Sequence, residues 1–235
     1  RMRFVRDPDA DVRAAAFRAL ILSHLPADEK REWLGMARGD ASPGVLAEAL
    51  LAAVEAGAAD DAEAAAGDVR RLLSEGGEAA VSGMRVVSRL KREDFFYDVL
   101  MQMMDPRPSV RIAAVRTIGS IGGGDAAREL LEFMIGAETE MRAAIRDALG
   151  EIGTKAVPAL LGALGSPHWH VWQAAVSVLG AELGDKELRQ IVVPSCTERL
   201  VQLENVRRYC AWIESGSAPE WADLARRREA EIRGI

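Results

Sequence analysis

The chain has 235 residues and a formal net charge of −6, with 30 Lys and Arg against 36 Asp and Glu. A hydrophobic share of 49% is ample for a core and excludes global disorder. No apolar run reaches the ~18 residues of a membrane-spanning helix, and two cysteines are too few for a disulfide scaffold. The acidic balance argues against a surface for phosphate backbones, and an aromatic share of only 5% favours helices over strands.

One phrase recurs along the chain and predicts the fold. Asp-Pro, three further residues and Val-Arg occur at residues 7–13 and again at 105–111. The phrase recurs as Met141-Arg142 through Leu149-Gly150 and as Val171-Trp172 through Leu179-Gly180. The glycines of three copies, Gly119, Gly150 and Gly180, are 31 and 30 residues apart. A period near 30 residues that carries two helical segments is typical of a helical-pair solenoid.

The apolar spacing divides the chain into about seven units, and it predicts no strand. The first unit keeps only its second helix, at residues 12–25. The later units pair helices at 28–38 with 45–56, 62–73 with 78–90, 93–104 with 109–121, 126–135 with 140–152, 155–164 with 169–183, and 185–201 with 204–213. We therefore predict an all-α fold: a right-handed α-solenoid of six to seven helical hairpins over residues 1–216, and a charged helix or linker over 217–235. Because the opening residues look like the tail of an element, we expect a fragment of a longer protein that starts mid-repeat.

The phrase Asp-Pro-x-x-x-Val-Arg-x-x-Ala-x-x-Ala-Leu-Gly resembles the HEAT repeat family, in particular the short bacterial type that also occurs in phycobilin lyase subunits. The resemblance covers roughly residues 4–213. It implies that the Asp and Arg of the phrase form a ladder between neighbouring repeats, which gives five residues a structural role: Asp7, Arg13, Asp105, Arg111 and Arg142. Gly136 and Ser166 stand where Asp is expected and Trp172 where Arg is expected, so the ladder should break in the last third of the chain.

The sequence contains no phosphate loop, dinucleotide fingerprint or Cys-x-x-Cys pair, so we predict neither an enzyme nor a cofactor. The most unusual segment holds His168, Trp169, His170 and Trp172. Its histidines point about 200° apart on a helix, which does not suit a metal site, so we predict no metal. The tryptophans either pack between repeats or form a recognition patch. A second segment opens a helix with Phe95, Phe96 and Tyr97 and continues with Val99, Leu100, Met103 and Met104. A Met-rich aromatic patch can be a docking surface, but the helical spacing favours packing in the core.

The register of the phrase also predicts which residues face a binding partner. Five and six positions after its first apolar residue, each second helix should expose side chains on a common concave face. These residues are Phe17, Arg18, Val115, Arg116, Arg146, Asp147, Val176 and Ser177. This mixed, partly apolar column suits a peptide or helix of a protein partner better than a phosphate backbone.

We therefore expect a non-catalytic scaffold or regulatory module of a larger protein. We expect it to be cytoplasmic and not inserted in a membrane, and the sequence predicts no particular oligomeric state. Three alternatives use the same fold: a DNA-binding or DNA-repair protein, a phycobilin-lyase-like subunit, and a regulatory domain fused to a membrane transporter. A cationic inner face would favour the first of these.

Overall fold

The structure, a computed structural model, describes residues 3–57 and 62–182. Throughout these two ranges the regular structure is helical, without a strand, which confirms the predicted all-α class. The chain divides into two compact units, Arg1–Ile121 and Gly122–Ile235.

The first unit contains α1 to α7. These helices are Ala10–Leu22, Ala27–Ala37, Pro43–Glu55, Ala62–Glu75, Gly77–Leu90, Phe96–Gln102 and Pro108–Ile121. Helices α1, α3, α5 and α7 pack side by side in that order. The alternate helices cover them, since α2 packs on α1 and α3, α4 on α5, and α6 on α7. The result is two layers of helices, built from consecutive hairpins.

The described part of the second unit repeats this arrangement. Its helices are α8 (Gly124–Met134), α9 (Thr139–Ile152), α10 (Val157–Ala163) and α11 (Trp169–Glu182). Helix α8 packs on α9 and α10 on α11, while α8 also contacts α10 and α9 contacts α11. Each hairpin therefore stacks on the next through both of its helices.

The helices begin and end where local chemistry dictates. Asp9 caps α1, because its side chain accepts a hydrogen bond from the backbone N–H of Asp11. Pro43 and Pro108 open α3 and α7, where a missing N–H costs nothing. Ser23 ends α1 with an extended backbone, and its Oγ donates to the Leu20 carbonyl at 2.6 Å. This turn explains why α1 stops at Leu22, three residues before the predicted end.

The other helix ends within the described ranges lie within two residues of the predicted ones, except for the start of α6. There a 3₁₀ turn at Glu93–Phe95 precedes the helix. The described residues do not include the predicted last hairpin or the charged segment at 217–235. They also do not include the two cysteines of the chain, Cys196 and Cys210.

Apolar residues at helical spacing form a core between the two helix layers of each unit. In the first unit it contains Ile21, Leu50, Met84 and Ile118, each at most 1% exposed. In the second unit the fully buried side chains include Leu130, Ile145, Leu149 and Leu160. Burial of one such side chain contributes about 1.5–3 kcal/mol to stability. This apolar packing, rather than helix propensity, holds the hairpins together.

Candidate functional site

A groove of about 550 Å³ runs over α1, α3 and α5 on the face that is turned away from the covering helices. Its floor is made of small side chains, which let another polypeptide approach the helix backbones closely. These small residues are Ala10, Ala14, Ala15, Ser42, Gly44 and Ser82. Ala15 is exposed, and a side chain added at Gly44 would meet only the Ser42 hydroxyl and the Arg85 guanidinium, at 3.6 and 3.8 Å. The floor is therefore open.

Five charged residues, here called the charged rim, line the same groove: Asp11, Arg18, Glu48, Glu78 and Arg85. Two cations against three carboxylates leave the rim with a formal charge of −1. Glu48 lies between the two arginines, 3.4 Å from Arg18 Nη1 and 3.7 Å from Arg85 Nη2. Arg18 also reaches Glu55 at 3.0 Å. These ion pairs tie together three successive helices of the row.

The rim has two chemically different ends. Asp11 and Glu78 are exposed in the first turns of α1 and α5, where the helix dipole favours a negative charge. Arg18 and Arg85 each follow seven residues later, which is about 10 Å along a helix. The basic end is neutralised by Glu48 and Glu55, whereas the structure shows no ion pair for Asp11 or Glu78 in the described residues. The unbalanced charge of the groove is thus negative.

The predicted contact column is partly wrong. Phe17 and Val115 are 2% and 0% exposed, so neither can touch a partner. Phe17 belongs to the buried stripe of α1 and packs edge-on against Trp33 of α2, with ring centroids 6.5 Å apart. Phe17 therefore faces the covering helix α2 rather than the groove, and Val115 is likewise buried on α7.

The remaining predicted contact residues reach the surface. Arg18 lines the groove, and Arg116 is exposed on α7. In the second unit Arg146, Asp147 and Ser177 are exposed, and Val176 is half-buried. The sequence reasoning missed Glu48 and Arg85, because α3 and α5 lack the Val-Arg phrase that set the register. It missed Ala15 of α1 because only the fifth and sixth positions after Val12 were assigned to the contact face. The glycines at the starts of these two helices were the signal that could have aligned them.

A repeated turn precedes the second helix of four hairpins. The side chain at its first position accepts a hydrogen bond from the backbone N–H two residues later. This bond joins Asp7 to Asp9 (3.0 Å), Asp40 to Ser42 (2.8 Å), Asp105 to Arg107 (2.8 Å) and Ser166 to His168 (3.2 Å). Such side-chain turns are a favoured way to start a helix. Ser166 therefore occupies the place that aspartate holds in the other three turns.

One rung of the implied ladder is formed as the resemblance suggests. Arg13 donates through Nε and Nη2 to the two carboxylate oxygens of Asp40, at 2.8 and 2.9 Å, and so joins one turn to the next. Its Nη1 also donates to the carbonyls of Asp7 and Pro8. The hydrogen bonds from Arg13 hold the pKa of Asp40 below its ordinary value despite partial burial. Such bidentate pairs are geometrically specific.

The other ladder residues behave differently. Arg111 donates from Nη1 to the carbonyls of Asp105 and Pro106, both at 3.1 Å, as Arg13 does in its own turn. The Asp105 carboxylate, however, is bound by Arg107 of the same turn, at 2.9 and 2.8 Å, which lowers its pKa to about 2. Asp105 thus makes a local turn rather than a rung between repeats. Arg142 has a buried Nε without a hydrogen-bond partner.

The histidine and tryptophan segment starts α11. Trp172 is 7% exposed and packs on the half-buried Trp169, with ring centroids 4.9 Å apart. His168 is exposed, and His170 is half-buried with its pKa lowered by burial and by the positive charge of Arg142. Trp172 is therefore a core residue, while the other three can still meet a ligand.

Two further features lie in the first unit. An apolar cavity of about 270 Å³ is lined by α3, α4 and α5 and by Phe95. The guanidinium carbons of Arg70 and Arg92 lie 5.2 and 5.3 Å from the centroid of the Phe95 ring. Phe95 and Met103 are buried as predicted. Met104 is 71% exposed and continues an exposed stripe formed with Tyr97 and Met101, so the prediction of core packing was wrong for Tyr97 and Met104.

Within the described ranges, no three His, Cys, Asp or Glu side chains cluster as metal ligands would. The helices in those ranges also lack one that combines the length and the apolarity needed to cross a bilayer. No protein-family model matches the chain, and no curated protein is significantly similar to it in sequence.

Proposed function

We propose that the chain is a non-catalytic protein-interaction module of the HEAT-like kind, a cytoplasmic scaffold of stacked helical hairpins that binds a peptide segment of a protein partner. The recurrence of one turn at Asp7, Asp40, Asp105 and Ser166 supports the repeat assignment. The side-by-side packing of α1, α3, α5 and α7 is what a solenoid of such hairpins requires.

The groove across α1, α3 and α5 is the observation that carries the proposal. Its volume of about 550 Å³ lies in the usual range of ligand sites. The rim spans about 10 Å between Asp11 and Arg18, which corresponds to roughly three residues of an extended chain. A floor of alanine, glycine and serine admits a peptide backbone, and the rim supplies charges that can fix its register.

The charge of the groove supports a peptide over a nucleic acid. A phosphate backbone needs a concentrated positive surface, whereas the rim carries a formal charge of −1 and its two arginines are already paired with Glu48. Unpaired carboxylates at Asp11 and Glu78 suit a lysine or arginine of the bound segment. Opposite charge at this end would speed association and orient the peptide.

Filling the groove tests the proposal. Short random peptides displayed on phage are selected on the wild-type chain, and the affinities of the selected peptides are then measured by calorimetry. Ala15→Trp places an indole on the exposed floor, and Met36→Trp places one on the exposed face of α2 in the other layer as the control. We expect Ala15→Trp to weaken binding by about tenfold or more, which is ~1.4 kcal/mol, and Met36→Trp to leave it unchanged.

Two results would count against a peptide groove. Peptides that bind Ala15→Trp as well as wild type would show that they use another surface. A short DNA duplex, titrated at low salt where electrostatic binding is strongest, is expected not to bind, and duplex binding that Ala15→Trp abolishes would assign the groove to nucleic acid instead. Circular dichroism of both variants verifies that they are folded.

A further inference from the structure

Arg142 and Ser166 occupy the same places in consecutive hairpins as Arg13 and Asp40. Each arginine lies six residues after the first position of the turn that precedes its helix. That first position is residue 7 for Arg13 and residue 136 for Arg142. Asp40 and Ser166 are both at the first position of the next turn and cap the N–H two residues later. The only chemical difference at the acceptor position is that Asp40 has a carboxylate and Ser166 a hydroxyl.

This difference leaves Arg142 without the acid that Arg13 has. Arg13 uses Nε and Nη2 on one carboxylate, whereas the Nε of Arg142 is buried without a hydrogen-bond partner. Among the described residues no carboxylate forms an ion pair with Arg142. A buried donor that has lost its partner destabilises the fold, and more so when it is charged. The residue as a whole is only half-buried, so its guanidinium lies within reach of a ligand.

The surroundings of Arg142 favour a negative ligand. Its positive charge acts on His170, in the first turn of α11, which places the two side chains near each other. That first turn contains no acidic residue, and the N-terminus of a helix adds positive potential. Exposed His168 and half-buried Trp169 lie at the same helix start. The neighbourhood therefore combines the positive charge of Arg142 with the ring N–H groups at the start of α11. Glu138 and Glu140, at the start of α9, form no ion pair with Arg142 among the described residues.

We propose that Arg142, together with the first turn of α11, binds a carboxylate from outside the chain, and that this carboxylate completes the rung that Asp40 completes for Arg13. The class of ligand follows from the intact rung, in which the planar guanidinium fork holds a carboxylate through two parallel hydrogen bonds. The site lies in the second unit and does not depend on the groove over α1, α3 and α5.

The intact rung supplies an internal control for the experiment. Arginine side chains are labelled with ¹⁵N, and the Nε–H signals of Arg142 and Arg13 are assigned from Arg142→Lys and Arg13→Lys. Sodium acetate and N-acetyl-aspartate amide are then titrated against sodium chloride at constant ionic strength. We expect a saturable shift of the Arg142 signal with both carboxylates and none of the Arg13 signal, whose partner is already in place.

Two variants at position 166 separate charge from turn geometry. Ser166→Asp supplies the missing carboxylate from within the chain, and we expect it to weaken acetate binding about tenfold or more and to move the Arg142 signal towards that of Arg13. Ser166→Asn keeps a side-chain acceptor for the His168 N–H without adding charge, and it should bind acetate as wild type does.

The proposal is overturned if the wild-type Arg142 signal does not shift, shifts without saturation, or responds to inorganic phosphate but not to carboxylates. Equal acetate binding by Ser166→Asp and Ser166→Asn would also overturn it. The wild-type titration stands even if one variant fails to fold, since it compares two arginines of the same molecule.

Discussion

Replacement of Phe17 by alanine separates the core of the first unit from its groove. The ring is 2% exposed and lies edge-on to Trp33. Truncation of a buried phenylalanine costs about 3–5 kcal/mol, from lost burial and from the cavity that remains. For a chain of this size, 1 kcal/mol lowers the Tm by roughly 2–4 °C, so the expected loss is about 6–20 °C.

Arg18→Ala is the matched control on the next residue of the same helix. The Arg18 side chain is 34% exposed, and its pairs with Glu48 and Glu55 are those of a surface ion pair, which contributes about 0–1 kcal/mol. Thermal unfolding followed by circular dichroism gives the Tm of both variants and of wild type. Urea unfolding gives their free energies of unfolding, and an unchanged m value confirms that only stability has changed. A Phe17→Ala chain that unfolds within about 2 °C of wild type would refute the assignment of Phe17 to the core.

Three further predictions concern the core, the turns and the aromatic segment. Ala114→Arg forces a charge into a fully buried position of α7 and should cost about 3 kcal/mol or more, measured by urea unfolding. The pKa of Asp105, lowered by Arg107 to about 2 from 3.8, stabilises the fold above pH 3.8, and this contribution is lost as the pH falls towards 2. Asp105→Asn should therefore flatten the dependence of Tm on pH between these values, and an unaltered slope would contradict the pair. Trp172→Ala should lower stability by about 3–5 kcal/mol, because the ring is buried against Trp169; a loss of less than about 1 kcal/mol would place it outside the core.

The sequence predicted the helices well, because their ends depend on local chemistry. Proline at the start of α3 and α7 and an apolar period near 3.6 are sufficient to locate them. The early end of α1 was missed, since the Ser23 bond to the Leu20 carbonyl has no strong sequence signal.

The groove was only partly predictable, because a surface face is set by neighbouring helices rather than by one helix alone. Arg18 lines the groove, but Phe17 was assigned to the same face although it packs against Trp33 of α2. Glu48 and Arg85 sit on helices without the recurring phrase, so no register connected them to Arg18 before the packing was known.

The implied ladder shows the same division between local and non-local information. The substitution at Ser166 was visible in the sequence, and a break there was expected. That Asp40 completes the rung for Arg13, and that Arg142 retains a buried donor without a partner, follow only from the packing of successive hairpins.

The most direct test of the central claim is a map of where a peptide binds. A peptide selected on the wild-type chain is fitted with a photoreactive group and irradiated in the complex, and the modified residues are identified by mass spectrometry after proteolysis. A peptide-binding groove over α1, α3 and α5 predicts cross-links at Ala15, Glu48 and Val81, which line it. Cross-links confined to the exposed stripe of Tyr97 and Met101 on α6 would contradict the account and move the interaction surface there.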